Sequence, residues 1–450
     1  MRLTWAQPED LVPHELVQSR AEGRDVEAIA DEWSAAGGAT TPPRGGASPE
    51  RAPEQLRVLA RVLLDRLDAL PGARVSPQSW EGVLELLPAP VQLAPPGADL
   101  DDRIHGAWLG RSAACLLGKP VEKIPREGIE ALLRSTGRWP LTDYFTANGL
   151  DPEVARVWPW NKASGPTSLV ENIDGMPEDD DLNYPILNLE LLETRGRDFT
   201  TDDVAQLWLT NLPAGRVFTA ERIAYRNLLD GNDPVACAQI RNPFREWIGA
   251  LIRGDVFGWV NPGDVREAAR MAWVDARLSH TGNGVWGELW SAALTSAALV
   301  SQTVDEVLDA SLSVVPADSD LARAVVRGVA IGRAGLPLEE ELDQLHRDFG
   351  GLHWVHTVNN AAVIAYALAK SGGDFDIAAP AAVLPGWDTD SAGATVGSVI
   401  GALRGRAGIA DRWTAPLRNR IATSLPGMNG VAIDALAART SALVPHGVRS

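Results

Sequence analysis

Two short acidic turns hold the residues best suited to chemistry. The first is Gly175-Met176-Pro177-Glu178-Asp179-Asp180-Asp181, followed by an apolar run from Leu182. The second is Gly386-Trp387-Asp388-Thr389-Asp390-Ser391, directly ahead of a stretch of small residues. Adjacent carboxylates repel one another. At a helix N-terminus each gains a few tenths to about 1 kcal/mol from the backbone dipole, which offsets only part of that repulsion. Solvent can screen the remainder in an exposed turn, and a bound dication screens it far better. Taken singly, each turn reads either as a helix cap or as a metal site. Taken together they favour metal. Both stand at loop-to-helix junctions, and both offer several oxygens and no soft ligand, the donor type that hard cations such as Mg²⁺ select. In the second turn, Asp388, Asp390 and Ser391 set two carboxylates and a hydroxyl on one turn. Two such clusters brought together by the fold are what a pair of ions ~3.5–4 Å apart requires. No EF-hand spacing is present, so calcium is the poorer fit.

Other polar clusters read differently. Thr200-Thr201-Asp202-Asp203 has the look of a metal motif, but Thr with Asp in a first helical turn is what capping requires. His280, in Ser279-His280-Thr281, stands between two helices and is open to either a cap or a substrate contact. His353 and His356 lie three apart without a Cys or Glu at zinc-site spacing, so zinc is discounted. His356 and Asn359 fit the wall of a polar pocket and fit a solvated helix start equally well. Cys115 and Cys237 have no partners that would mark a nucleophile, and buried packing suits them better.

The elements that must position these turns are helices. Apolar spacing predicts them over 182–192, 201–209, 265–279, 287–300, 304–312, 321–334, 360–370 and 392–404. No segment alternates convincingly with period two, so the expected fold class is all-α. Gly393, Gly397, Gly401 and Gly405 recur along one helix face, and Gly106, Gly110, Ala114 and Gly118 along another. Glycine inside a helix costs about 1 kcal/mol relative to alanine. Each ridge therefore calls for a reason: close helix–helix packing, room for a ligand, or both. Residues 1–100 differ in character. A helix is predicted over 54–70, ending at Pro71-Gly72, and 37–54 reads as a Gly/Pro-rich linker. A boundary near residue 100 separates this helical extension from a domain over 101–450. Trp5, Trp33 and Trp80 point to at least partial docking of the extension.

Bulk properties narrow the partners. The chain has 450 residues, 45% of them hydrophobic, and a net charge of −18 with no basic stripe, which argues against binding to a nucleic-acid backbone. Two distant cysteines point to a reducing compartment. The first residues lack the apolar core of a signal peptide, and no apolar run approaches the ~20 residues that span a bilayer. A soluble, cytoplasmic protein is the expectation; the oligomeric state is left open.

In their order along the chain, four signatures resemble the ADP-ribosylglycohydrolase family. They are the glycine-spaced helix ending in Gly118-Lys119-Pro120-Val121-Glu122, the Glu178–Asp181 turn, Ser279-His280-Thr281, and Trp387-Asp388-Thr389-Asp390-Ser391 with its glycine helix. The likeness spans about 101 to 410. It implies a compact, multi-helix fold and two Mg²⁺ ions, or Mn²⁺ in some members, held between the two aspartate turns. It implies hydrolysis of the bond joining ADP-ribose to an acceptor. Carried over, Glu178, Asp179, Asp180, Asp388, Asp390 and Ser391 form the metal shell, and Asp179, Asp180 and Glu122 are the catalytic candidates. Gly118, His280, His356, Asn359, Gly386 and Trp387 are the candidates for lining the substrate. The usual Thr-Asp-Asp-Thr turn is here flanked by Glu178 and Asp181, and the usual Gly-Asp of the opening helix is Ala114-Cys115. These departures keep two alternatives in view: a hydrolase of another ribosyl or nucleoside-type glycoside, and a non-catalytic binding protein on the same fold.

Overall fold

A computed structural model describes residues 2–71 and 77–445. The fold is built from helices. Among the described residues the only paired strands are Arg420–Ile421 and Val431–Ala432, antiparallel, with Arg420 opposite Ala432. The all-α expectation holds because apolar residues recur with helical period and most helices bury their apolar faces in one large core. That core takes in residues from Trp5 to Val444.

The central pair is Leu100–Gly118 and Thr389–Arg404. Both are buried nearly all round, so their side chains cannot hold them apart. The glycine ridges meet. A Cβ on Gly110 would lie 2.1 Å from the Gly397 carbonyl oxygen, and one on Gly401 would lie 2.0 Å from that of Gly106. The two backbones touch, and the partners run in opposite order along the chain, so the helices are antiparallel. This sets the end of the first helix, Gly118, against the start of the last, where the Gly118 carbonyl accepts a hydrogen bond from the Thr389 hydroxyl at 2.8 Å. Packing thus accounts for the ridges, and it brings Glu122 and Asp388 to the same end of the pair.

The first acidic turn arrives on the Asp180–Arg195 helix, capped by the Asp179 side chain, which accepts from the Asp181 N–H at 2.9 Å. Arg111, fully buried on the Leu100–Gly118 helix, anchors this helix from beneath. Its guanidinium donates to the Asp181 carbonyl (2.8 Å), to the Asp255 carboxylate (2.8 Å) and to the Ile252 carbonyl. Ser291, from Gly282–Ala298, donates to the other Asp255 oxygen.

The extension forms helices Pro8–Ala21, Glu27–Ala35 and Glu54–Asp68. The third ends two residues before its predicted limit, and Gly72 lies outside the described residues. The extension docks firmly: Trp5 and Trp33 are buried, Trp80 half-buried. Arg245 pairs with Glu15 at 2.8 Å and Glu22 at 2.7 Å, and the Trp354 indole donates to the Arg44 carbonyl. Thr200 and Asp203 form a reciprocal cap on Thr201–Asn211, as their spacing predicts. No described helix is long and apolar enough to cross a membrane.

Candidate metal centre and active site

The two acidic turns face each other across one cleft. Eight carboxylates line it, against three cationic side chains, Lys119, Lys123 and Arg216. Two ligand groups emerge. Oxygens of Glu122, Asp388 and Asp390 lie within 4.8 Å of one another, as do ligand atoms of Cys115, Asp179 and Asp181.

The second group is engaged by the protein itself. Asp179 gives one oxygen to the Asp181 N–H and the other to the Lys119 ammonium. Asp181 accepts from the Ser391 hydroxyl at 3.1 Å and faces Arg111 at 3.5 Å. Glu178 is turned aside: Asn183 (2.9 Å) and Ser424 (2.6 Å) donate to it, and Arg216 pairs with it at 3.1 Å.

The first group is far less committed. Glu122 accepts from the Asn161 amide at 2.7 Å and pairs with Lys123 at 2.9 Å on the rim. Asp390 accepts the Ser391 N–H at 3.2 Å and shares a hydrogen bond with the Asp388 carboxyl. Asp388 is 5% exposed; apart from the Asp390 carboxyl its side chain meets no described Lys, Arg or amide, while its backbone N–H donates to Asn360 Oδ1 at 3.3 Å. Left-handed backbone at Gly386 (φ 78°) and Trp387 (φ 67°) makes the sharp turn that aims this loop. The Trp387 ring stacks on His346 with centroids 4.5 Å apart, which helps hold the strained residue in place.

Electrostatics follow from this division. Burial, then the neighbouring carboxylates of Asp390, Glu122 and Asp181, pushes Asp388 well above the usual carboxylate range. Asp390 is pushed up to about 7 by burial and by Glu122 and Asp179. Asp180 is raised well above its ordinary value by burial and by Asp179, Asp390 and Glu122. For Asp179 burial works in the same direction, but the adjacent Lys119 outweighs it and holds the carboxyl low. Oxygen donors buried together, with too few cations to match them, fit a hard divalent ion at Glu122, Asp388 and Asp390.

All the residues expected to ligate metal reach this cleft, and so does Glu122. The residues expected to line the substrate do not. His280 is buried behind Glu221, its Nδ1 against the Ser279 hydroxyl at 2.8 Å, and burial beside Arg253 holds it neutral. His356 caps Thr357–Ser371 by accepting from the Val358 N–H, and it faces a separate groove beside Phe349 and Leu352. Asn359 is buried and donates to the His353 carbonyl. Gly118 packs on Thr389: a Cβ there would lie 2.2 Å from the Thr389 carbonyl oxygen. Gly386 and Trp387 shape the aspartate turn without entering the cleft wall. The wall instead takes in Trp5, Asn161, Phe218, Glu221 and Trp354, none of which carries a local motif. Lys119 had a signal, a lysine amid small and apolar residues, but its partner Asp179 is distant in sequence.

A search of curated proteins finds no match. A solved structure of an ADP-ribosylglycohydrolase-related protein complex is similar, with 22% identity, 77% of this chain and 99% of that chain covered, and a TM-score of 0.49. The family model for ADP-ribosylglycohydrolase matches residues 96–445. With most of its length matched, the chain belongs to the ADP-ribosylglycohydrolase family.

Proposed function

We propose that the protein is a cytoplasmic, divalent-cation-dependent hydrolase that cleaves the glycosidic bond of an ADP-ribosylated protein or small molecule. The observation that carries this is the meeting of Glu122, Asp388 and Asp390 with the Asp179–Asp181 turn across one cleft, in a member of this family. Mg²⁺, or Mn²⁺ in its place, would be held by Glu122, Asp388 and Asp390 with Asp180 beside them, and would supply Lewis acidity toward the ribosyl group. The remaining work falls to the chain. The cleft walls hold the ribosyl group in one orientation and limit water. Asp180 faces the cleft and no described donor reaches it, so its carboxylate accepts a proton from the attacking water. The anomeric bond breaks through an oxocarbenium-like state beside the carboxylate-lined wall. Two buried free thiols, Cys115 and Cys237, support a reducing compartment.

One observation favours a small free glycoside over a protein conjugate. Trp5 of the extension, together with Phe218 and Trp354, narrows the cleft with aromatic walls. A panel of ADP-ribosylated protein, ADP-ribosyl small molecules and free nucleosides, incubated with Mg²⁺ and followed by chromatography, separates the readings. Release of ADP-ribose, reduced at least about 100-fold by Asp388→Asn, is the expected result. Cleavage of nucleosides alone would replace the substrate class. No cleavage of any glycoside would leave only a binding protein on this fold.

A further inference from the structure

The two ligand groups of the cleft differ in what already neutralises them. Lys119 begins the short turn Lys119–Val121, directly after the Leu100–Gly118 helix. It is 7% exposed. Its ammonium meets one oxygen of Asp179 and donates to the Glu178 carbonyl at 3.2 Å. The other Asp179 oxygen is taken by the Asp181 N–H. Asp181 in turn is occupied by Ser391 on one oxygen and faces Arg111 with the other. The lysine has little freedom to leave. Gly118 before it is packed against the Thr389 backbone, and Pro120 follows it. A dication on Asp179 would stand beside this ammonium, and like charges at such a distance in a buried site repel strongly.

Across the cleft the balance is reversed. Asp388 and Asp390 are 5% and 7% exposed, and no described Lys or Arg pairs with either. Two cations act on this group from its edge: Lys123, which pairs with Glu122 from the rim with nearly half of its side chain exposed, and Lys119, whose ammonium is bonded to Asp179 and reaches Asp390 only through space. Buried carboxylates in this state require a partner charge.

We infer that the protein binds one divalent cation, at Glu122, Asp388 and Asp390, and that the Lys119 ammonium stands in place of a second ion beside Asp179. This inference rests on the metal-dependent reading above and departs from the two ions that the family resemblance implies. The first cation would exchange with solvent, whereas the second positive charge is covalently part of the chain.

The test is manganese binding to the full-length, metal-stripped protein, counted by equilibrium titration and examined by electron paramagnetic resonance. Wild type should bind one Mn²⁺ per chain and give the spectrum of an isolated ion. Asp388→Asn should weaken that binding at least tenfold. Lys119→Met should admit a second ion, seen as a doubled stoichiometry and a spin-coupled spectrum, while Lys119→Arg, which keeps the charge, should still bind one. Two coupled ions in wild type would overturn the inference and leave the metal-dependent hydrolase standing. No bound ion in wild type would overturn both. Should Lys119→Met fail to fold, the wild-type count and spectrum decide the matter alone.

Discussion

Placing a single methyl group between the two central helices, by Gly397→Ala, tests whether their backbone contact assembles the site. In the wild type, a Cβ at 397 would lie 2.1 Å from the Gly110 carbonyl oxygen and 2.7 Å from the Ala114 Cβ. Cβ contacts below 3.0 Å are essentially never seen, so the helices must part by about 0.9 Å, the difference between 3.0 and 2.1. Neither obstacle is the far end of a flexible chain. Overpacking of this kind costs about 1–3 kcal/mol. Alanine returns up to about 1 kcal/mol of helix propensity. A net loss of roughly 1–2 kcal/mol is expected, read by urea unfolding with tryptophan fluorescence. The same separation moves Glu122, which follows the first helix, relative to Asp388, which opens the last. A shift near 1 Å spoils coordination, so Mn²⁺ affinity should fall about tenfold or more. Gly351→Ala, where a new Cβ meets nothing within 4 Å, is the control and should change stability by less than about 0.5 kcal/mol. If Gly397→Ala is as stable as the control and binds Mn²⁺ as tightly as wild type, the contact does not set the site geometry.

Two further perturbations probe how the extension is held. Glu15 is fully buried and receives Arg245 on both carboxylate oxygens, at 2.8 and 3.0 Å; Glu15→Gln should cost about 3 kcal/mol and expose the extension to limited proteolysis, and an unchanged protease pattern would refute this. Asp68 accepts the Arg241 N–H at 2.7 Å, and burial with the nearby Glu15 charge pushes its carboxyl up to about 7. Its folded value lies above its unfolded one, so the stability it lends is full below about pH 4 and is lost as pH rises through 7. Asp68→Asn should therefore gain on wild type between pH 5 and pH 8 by roughly 1–2 kcal/mol after allowance for solvent screening, and parallel stability–pH curves would contradict this.

What the sequence revealed, and what it hid, divides by distance along the chain. The acidic turns were legible because their carboxylates are neighbours in sequence, and the Thr200–Asp203 cap because its four residues are contiguous. Each glycine ridge was legible as a demand for close packing. That the two ridges pack on each other was not, since spacing along one helix does not name its partner. His356 and Asn359 illustrate the opposite failure. A polar residue at a helix start looks the same whether it lines a pocket or caps the helix, and here His356 caps. Lys119 was visible inside its motif, yet its role depends on Asp179, brought near only by the fold. Trp5, Asn161 and Glu221 enter the cleft as single residues with no local pattern to mark them.

The antiparallel contact explains why charge collects where it does. At the end of the Leu100–Gly118 helix the backbone dipole is negative, and the residue that follows is Lys119. At the start of the Asp180–Arg195 and Thr389–Arg404 helices the dipole is positive, and the residues there are aspartates. Each end is thus locally compensated, and bringing the ends together pairs Lys119 with Asp179 without help from any ligand. What remains is the surplus of the second aspartate turn. Asp388 and Asp390 are pressed together by a helix start buried against its partner, with Glu122 alongside, and no described Lys or Arg forms an ion pair with either, Lys119 and Lys123 acting on them only through space. Without an ion, their raised affinity for protons is how the protein relieves that surplus. A divalent cation would displace those protons, so its binding should release protons and strengthen as pH rises toward neutrality. The same packing that demands glycine at 397 and 110 therefore creates the charge imbalance on which the proposed hydrolysis depends.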